Sequence, residues 1–223
     1  RPGTEEISQA YSDWWVGQNG YLKADGSRQM ARAFLGDLKT EKGEKLTEVF
    51  IVDIPEEINV EGPEGPLAGT SSTMPMPPAG AEVRRLTYTE NAKYPGVTTD
   101  FRHWVTSSMD GAFLSYLAKD ENGIDQVFLI PAIGGEPRQV SFHDTSVQST
   151  VRWHPKAKEF AYVCNNQIFV NTVDEGMSPG KALAITESFD TAPYAVNYSN
   201  DGKKIAFNKD VEGHVQIFVA ERP

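Results

Sequence analysis

The side chains best suited to chemistry in this sequence are its histidines and the polar residues beside them. The 223 residues contain four histidines, which are His103, His143, His154 and His214. None of them has a metal-ligand spacing such as His-Glu-x-x-His, and the chain has no Gly-x-Ser-x-Gly elbow, phosphate loop or dinucleotide fingerprint. Local motifs therefore assign no catalytic residue. Any site must be built by a fold that brings distant residues together.

The elements that would position such residues are repeated along the chain. Three segments share one order: a tight turn, an aromatic or β-branched strand, a loop, and a strand of the form Gln-Ile/Val-Phe. Asp110, Lys156 and Asp201 occupy the same place in the turns of these copies, about 45 residues apart. A weaker copy with its turn at Asp25 precedes them, and a fourth strand follows in most copies, as at 136–141. The pattern indicates hairpins, because the Asp-Gly pairs suit tight turns.

Four antiparallel strands in about 40–45 residues form one blade of a β-propeller. We therefore predict an all-β chain of about four blades, each a four-stranded antiparallel sheet, within a ring of about six to eight blades. The predicted copies cover residues 25–90, 100–141, 148–187 and 194–223, with a Pro/Gly-rich insertion at 56–80 and an irregular segment at 1–24. The insertion suits a solvated loop, or else an ordered arm with Met74 and Met76 as its apolar contacts.

The repeat resembles that of TolB-like propeller proteins. This resemblance is carried by three groups of turn and strand residues, Asp201-Gly202, Ile205-Ala206-Phe207 and Gln216-Ile217-Phe218. Over the whole chain a bacterial family of uncharacterised propeller proteins is similar at residues 1–10, Arg102-His103-Trp104 and Gln148-Ser149. Members of that family are longer, and this chain resembles their C-terminal half. The resemblance implies a propeller fold and carries no established activity.

Both end copies lack a strand of the predicted blade. The last copy reaches Pro223 after its third strand, and the first has no obvious innermost strand. Soluble proteins avoid unpaired sheet edges and uncovered apolar faces. We therefore expect a missing N-terminal half, or a second chain, to complete the ring.

The channel mouth is the place where the repeat predicts a site. In a propeller the innermost strands line a central channel, and ligands commonly bind in such a concave mouth. Alignment from the turns places three polar pairs there, Arg102-His103, Gln148-Ser149 and Pro193-Tyr194. The candidate ligand-binding residues are therefore Arg102, His103, Gln148, Ser149 and Tyr194, together with the adjacent aromatic residues Trp14 and Trp15.

Two of these residues are also candidate metal ligands. His103 and Gln148, with nearby carboxylates, would suit a divalent cation such as Mn, Ca or Zn. Arg102 would suit an anionic sugar. The alternative is that His103 and Gln148 only hydrogen-bond neighbouring loop backbones and hold the entering loops in place.

Three functions stay open at this point. The favoured hypothesis is a non-catalytic module that binds a protein, or a small polar or carbohydrate ligand, at the channel face. The second is a metal-assisted carbohydrate lyase or hydrolase, because oligogalacturonate lyases are propellers with such a metal site. It rests on Arg102, His103 and Gln148. The third is the propeller domain of a larger peptidase, which would need a further segment for its hydrolase domain.

Composition excludes some classes of protein. The net charge of −10 and the pI near 4.9 argue against binding nucleic acid through its phosphates. No apolar run approaches the ~18–20 residues of a membrane helix. The single cysteine, Cys164, lies in an apolar run and is expected to be a small buried residue without a disulfide. We expect a soluble protein of the cytoplasm or periplasm, and the first residue, Arg1, gives no means of choosing between them.

Overall fold

A computed structural model describes residues 1–100 and 104–221, and these ranges contain seventeen β-strands. In chain order the strands are β1 (Gln9–Trp15), β2 (Tyr21–Leu22), β3 (Arg28–Gln29), β4 (Ala31–Lys39), β5 (Lys45–Asp53), β6 (Glu82–Arg85), β7 (Thr106–Ser107), β8 (Phe113–Lys119), β9 (Asp125–Pro131), β10 (Arg138–Gln139), β11 (Arg152–Trp153), β12 (Glu159–Cys164), β13 (Gln167–Thr172), β14 (Leu183–Ala184), β15 (Tyr194–Tyr198), β16 (Lys204–Val211) and β17 (His214–Glu221).

These strands form four successive antiparallel sheets, which we call the first to fourth blades. Their strand orders are β1-β4-β5-β6, β7-β8-β9-β10, β11-β12-β13-β14 and, within the described residues, β15-β16-β17. The first strands of the blades, β1, β7, β11 and β15, are neighbours of one another in that order, so they form the inner edge of the array. The all-β fold of four-stranded propeller blades is therefore confirmed, whereas the size of the full ring stays a prediction.

The blades pack face to face because alternate residues of each strand point to opposite sides. In β8, Leu114 and Tyr116 belong to the core shared with the first blade, whereas Phe113 and Leu117 pack with Phe160 in the core shared with the third. The third and fourth blades share a smaller core, which includes Val163, Ile168, Val196, Ile205 and Phe207. The second and third sheets thus bury both faces because each has a neighbouring blade on each side.

The amino-terminal segment differs from the sequence expectation. We expected residues 1–24 to be irregular, but β1 lies within them and is the inner strand of the first blade. The strand is hard to recognise because it contains a bulge: its register with β4 shifts between Tyr11 and Trp14, and Ser12 has a φ of 56°. Such a bulge breaks the two-residue alternation by which a strand is recognised in sequence. Asp25 lies in the turn of an additional hairpin, β2–β3, between the first two strands of the blade.

The Pro/Gly-rich insertion connects β5 to β6. It contains two isolated antiparallel bridges, Glu61 with Pro78 and Gly62 with Gly65, and the amide of Met76 donates to the carbonyl of Pro66 at 3.0 Å. Met74 is 75% exposed. The insertion therefore has some internal pairing, and Met74 makes no apolar anchor for it.

A buried polar clamp joins the third strand of a blade to its fourth strand, and we call it the exit clamp. In the second blade Gln126 is fully buried, its Oε1 accepts from Ser141 Oγ at 2.7 Å, and its Nε2 donates to the carbonyl of His143 at 2.7 Å. Ser141 Oγ in turn accepts the amide of Val127 at 2.8 Å. The clamp satisfies polar groups that would otherwise be buried without partners.

The same clamp recurs with different side chains. In the third blade Gln167 Nε2 donates to the carbonyl of Thr186 at 3.0 Å, while the hydroxyl of Thr186 accepts the amide of Ile168. In the first blade Glu48 replaces the glutamine and accepts from the Thr87 hydroxyl. The repeated Gln/Glu of the third strand is therefore a structural element of the blade.

Candidate functional site

A cavity of about 610 Å³ opens beside the inner strands of the second, third and fourth blades. We call it the inner-strand cavity, and its lining residues are Trp104, Gln148, Ser149, Thr150, Arg152, Ala192, Pro193, Tyr194, Ala195 and Val196. Three of the predicted candidates, Gln148, Ser149 and Tyr194, meet here. Arg102 and His103 lie outside the described residues, directly before Trp104 in sequence.

The predicted polar residues of the cavity are held in place by the third blade. Gln148 Oε1 accepts the amide of Asn166 at 2.8 Å, and Gln148 Nε2 donates to Asn166 Oδ1 at 3.1 Å. Ser149 Oγ accepts the amide of Val163 at 2.8 Å. Both side chains thus anchor the loop that enters the third blade. Tyr194 is 42% exposed, and within the described residues its hydroxyl has no hydrogen-bond partner.

Sequence reasoning missed Arg152, the only charged residue that lines this cavity within the described ranges. Arg152 lies on β11, where the next residue, Trp153, turns into the core and donates from Nε1 to Ser115 Oγ at 3.0 Å. Because successive side chains of a strand point to opposite faces, Arg152 points away from that core. The sequence feature that could have identified Arg152 is therefore its position directly before a core tryptophan on an inner strand.

The environment of Arg152 is aromatic and lacks an anion. Its guanidinium carbon lies 4.9 Å from the ring centroid of Trp14 and 5.9 Å from that of Trp104. Nη1 is buried without a hydrogen bond, and no carboxylate of the described residues pairs with the side chain. Burial lowers the pKa of Arg152, because the charged form loses solvation. Attraction to the indole faces compensates only part of that cost.

The two adjacent tryptophans of β1 separate. Trp14 contacts Arg152 at the inner edge, whereas Trp15 is 49% exposed and lies under Arg32, whose guanidinium carbon is 4.8 Å from its ring centroid. Arg32 is also ion-paired with Asp13. Of the pair, Trp14 is therefore the residue that contacts Arg152, whereas both tryptophans line a separate cavity of about 420 Å³ and neither lines the inner-strand cavity.

A larger cavity, of about 1050 Å³, lies beside β6. Its cations already have partners: Arg85 bonds Glu5, Glu48 and Glu90 at 2.8–3.0 Å, and Arg84 bonds Asp53. A cavity whose charges are satisfied internally has little reason to bind a charged ligand. Size alone therefore does not identify the site.

Two of the three described histidines, His143 and His154, have structural partners, and His214 is exposed. His143 Nε2 lies 2.8 Å from the Tyr162 hydroxyl, and burial lowers the pKa of His143. His154 Nδ1 accepts the amide of Lys156 at 3.0 Å, as expected of a residue that caps its turn. No group of three or more His, Cys, Asp or Glu side chains in the described ranges could hold a metal ion. The predicted pair His103 and Gln148 stays a prediction, because only Gln148 is described.

Antiparallel blades with a lined cavity at their inner edge define this chain as a β-propeller repeat protein. It is 37% identical over 226 residues to the uncharacterized protein YidR of Escherichia coli K12, across 99% of this chain and 50% of that relative. It is 31% identical over 113 residues to the uncharacterized protein Atu1656 of Agrobacterium fabrum, across 50% of this chain and 37% of that relative. The chain thus spans half or less of the length of these relatives.

A solved structure shows the same fold. The putative TolB from Agrobacterium tumefaciens aligns with a TM-score of 0.50 at 19% identity, covering 94% of this chain and 61% of that one. No protein-family model matches the chain. The fold is therefore that of TolB-like propellers, and the sequence is similar to uncharacterised proteins, in agreement with the resemblance predicted from the repeat.

No helix within the described ranges has the length and apolar character needed to cross a membrane.

Proposed function

We propose that the chain is a β-propeller binding module whose ligand or partner binds at the central-channel face. The observation that supports this is the inner-strand cavity, where strands or entry loops of three blades contribute residues to one concavity. Its lining combines an aromatic face from Trp104, an open hydroxyl from Tyr194 and a charge from Arg152. An apolar concavity with a few convergent polar groups is the usual form of a small-molecule site.

Tryptophan resonances test this proposal. A panel of neutral and acidic mono- and disaccharides is added to the labelled chain, and the indole N–H signals are followed. We expect ligands to shift the signal of Trp104 and to leave that of Trp153 unchanged, because Trp153 is buried against Ser115. Tyr194→Ala should weaken the response. Phe142→Ala, at an aromatic residue that is 70% exposed outside the cavity, is the matched control. Shifts confined to Trp15 would contradict the proposal.

A metal-assisted carbohydrate lyase or hydrolase of the oligogalacturonate type is the second candidate. It is favoured by one observation: the pair Arg102-His103 directly precedes Trp104, which lines the inner-strand cavity. A titration with Mn²⁺, followed by equilibrium dialysis, should then give one bound ion per chain that is lost in His103→Ala. Lys156→Ala, which removes a cation on an exposed turn, is the control. Failure to retain Mn²⁺, Ca²⁺ or Zn²⁺ would exclude this candidate.

We also propose that a further strand, from a missing N-terminal half or from a second chain, pairs with β17. In the described residues β17 is an edge strand that carries the repeated Gln-Ile-Phe sequence, yet Ile217 is 77% and Val219 is 58% exposed. The equivalent strands of the other blades are covered by a fourth strand and its clamp hydroxyl. An uncovered edge of this kind is a template for strand addition.

A synthetic strand tests this partner. A peptide that copies residues 181–187, the exit segment of the third blade, should protect the amides of β17 from hydrogen exchange. A control peptide with Thr186→Val lacks the clamp hydroxyl, which accepts the amide of Ile168 in the third blade. We expect it to protect less. Equal protection by both peptides, or none by either, would contradict a clamp-directed partner.

A further inference from the structure

Arg152 loses hydration in the fold, and no anion among the described residues compensates for this loss. A buried cation normally has an anion or several acceptors, because loss of hydration is otherwise uncompensated. A guanidinium has five N–H donors, yet Arg152 makes no hydrogen bond or ion pair within the described residues. Its compensation there is the contact with the faces of Trp14 and Trp104. Cation–π contact uses the face of the guanidinium. Nη1 is buried, whereas the side chain as a whole is partly exposed and lines the inner-strand cavity.

The surroundings of the Arg152 guanidinium resemble a binding site that lacks its anion. The inner-strand cavity contains no Asp or Glu among its described lining residues, so no internal carboxylate competes for Arg152. Trp104 and Tyr194 provide aromatic surface, and the Tyr194 hydroxyl provides a polar group, whereas Gln148 and Ser149 line the cavity with side chains already bonded within the third blade. The volume of about 610 Å³ is suited to a small ligand with one ring or two.

We propose that Arg152 binds the carboxylate of a small acidic sugar, of the hexuronate class, in the inner-strand cavity. The carboxylate would accept two hydrogen bonds from the guanidinium edge, a geometry that a planar fork and a planar anion share. The sugar ring would pack on Trp104, with a hydroxyl toward the hydroxyl of Tyr194, which has no hydrogen-bond partner within the described residues. This inference rests on the proposed channel-face binding function and gives its ligand a chemical class.

The test compares two probes that differ in one group. D-glucuronate and D-glucose are titrated into the full chain, and binding is followed by tryptophan fluorescence and by the indole signals of Trp14 and Trp104. We expect glucuronate to bind more tightly than glucose. Arg152→Gln should weaken glucuronate at least ~10-fold, because a hydrogen bond to a charged partner is lost, and should weaken glucose by a clearly smaller factor. Arg152→Lys should fall between, because lysine keeps the charge and loses the fork.

A second measurement separates a binding role from a structural one. Without ligand, Arg152→Met should raise the unfolding temperature by about 2–4 °C, because it removes a buried unpaired charge and keeps the packing. A drop in unfolding temperature would assign Arg152 to the structure and would overturn the inference. Arg84→Met is the matched control and should lower it, since Arg84 is paired with Asp53.

The outcomes distinguish this inference from the function on which it rests. Neutral sugars that shift Trp104, with no preference for the acid and no effect of Arg152→Gln, would overturn the carboxylate site and leave the binding module standing. Inorganic phosphate binding more tightly than glucuronate would also overturn it. No response of Trp104 to any probe would remove the binding function itself.

Discussion

The second and fourth blades both have a third strand with the pattern Gln-Ile/Val-Phe. A fourth strand lies beside it in the second blade but not, within the described residues, in the fourth. In the second, Gln126 is buried and bonded to Ser141 and His143 of the exit segment. In the fourth, Gln216 is exposed on β17, and no fourth strand lies beside it within the described residues. The third strand therefore carries a complete set of donors, acceptors and apolar side chains before any partner is present. The proposed partner strand would cover this set of groups on β17.

The largest loss of stability is expected when the exit clamp of the first blade is disrupted, because this clamp contains a buried carboxylate. In the first blade Glu48 has no exposed side-chain surface and is paired with Arg85 at 3.0 Å. We expect Arg85→Met to lower the free energy of unfolding by about 3–5 kcal/mol, because it leaves a buried carboxylate unpaired. Urea unfolding measures the loss.

A compensating change serves as the control for that variant. Glu48→Gln combined with Arg85→Met converts the first clamp into the neutral form of the second blade. Most of the lost stability should return, because the buried carboxylate is no longer present. A double variant as unstable as Arg85→Met alone would show that Arg85 acts through Glu5, Glu90 or packing and not through the clamp.

Removal of the neutral clamp should have the next largest effect. Gln126→Ala takes away the partners of Ser141 Oγ and of both backbone groups of His143. We expect a loss of about 2–4 kcal/mol in the free energy of unfolding, since buried polar groups are left without partners. A loss below about 1 kcal/mol in urea unfolding would mean that water replaces the glutamine.

Low pH should reduce the stability of the chain through protonation of His143, which belongs to the exit clamp of the second blade. Burial lowers the pKa of His143 below its ordinary value, so the unfolded chain takes up this proton first as pH falls. Stability is thus full above about pH 6.5 and decreases below it. The urea midpoint should fall between about pH 7.5 and pH 5.5, and fall less in His143→Gln. An equal fall in both proteins would assign the effect to another group.

The smallest change in stability is expected in the fourth blade, where no fourth strand forms an exit clamp within the described residues. Gln216→Ala should change the free energy of unfolding by less than about 0.5 kcal/mol, because the side chain is exposed. The same change should weaken binding of the 181–187 peptide to β17. A large loss of stability without peptide would mean that Gln216 is already engaged, and the contrast with Gln126 would disappear.

The repeat made most of the fold predictable. Turn pairs such as Asp201-Gly202 and strands such as Gln216-Ile217-Phe218 indicate their conformation locally, and four such copies leave few arrangements. The inner strand β1 was not predictable in this way, because its bulge at Ser12 has no glycine or proline to mark it. Bulges are set by the partner strand, which a local pattern does not contain.

The sequence predicted that some of the residues of the inner-strand cavity lie close together, but it did not predict Arg152. Counting from the turns placed Gln148 and Tyr194 at one mouth, and both line the inner-strand cavity. Arg152 lies on the inner strand itself, and it was singled out because it has no hydrogen-bond or ion-pair partner within the described residues. A missing partner is a property of the assembled blades and cannot be read from neighbours in sequence. Gln148 shows the opposite case: its position was predicted from the sequence, but both ends of its side-chain amide are bonded to Asn166.

The turns at the ends of the blades also govern the curvature of the array. A Cβ on Gly111 would collide with the carbonyl oxygen of Gly20, and one on Gly202 would collide with the ring of His154. Neighbouring blades therefore approach too closely at these two positions for any side chain. A methyl group at either position would force the turn and its neighbour apart. These two glycines thus help to set the angle between the neighbouring blades that the structure describes.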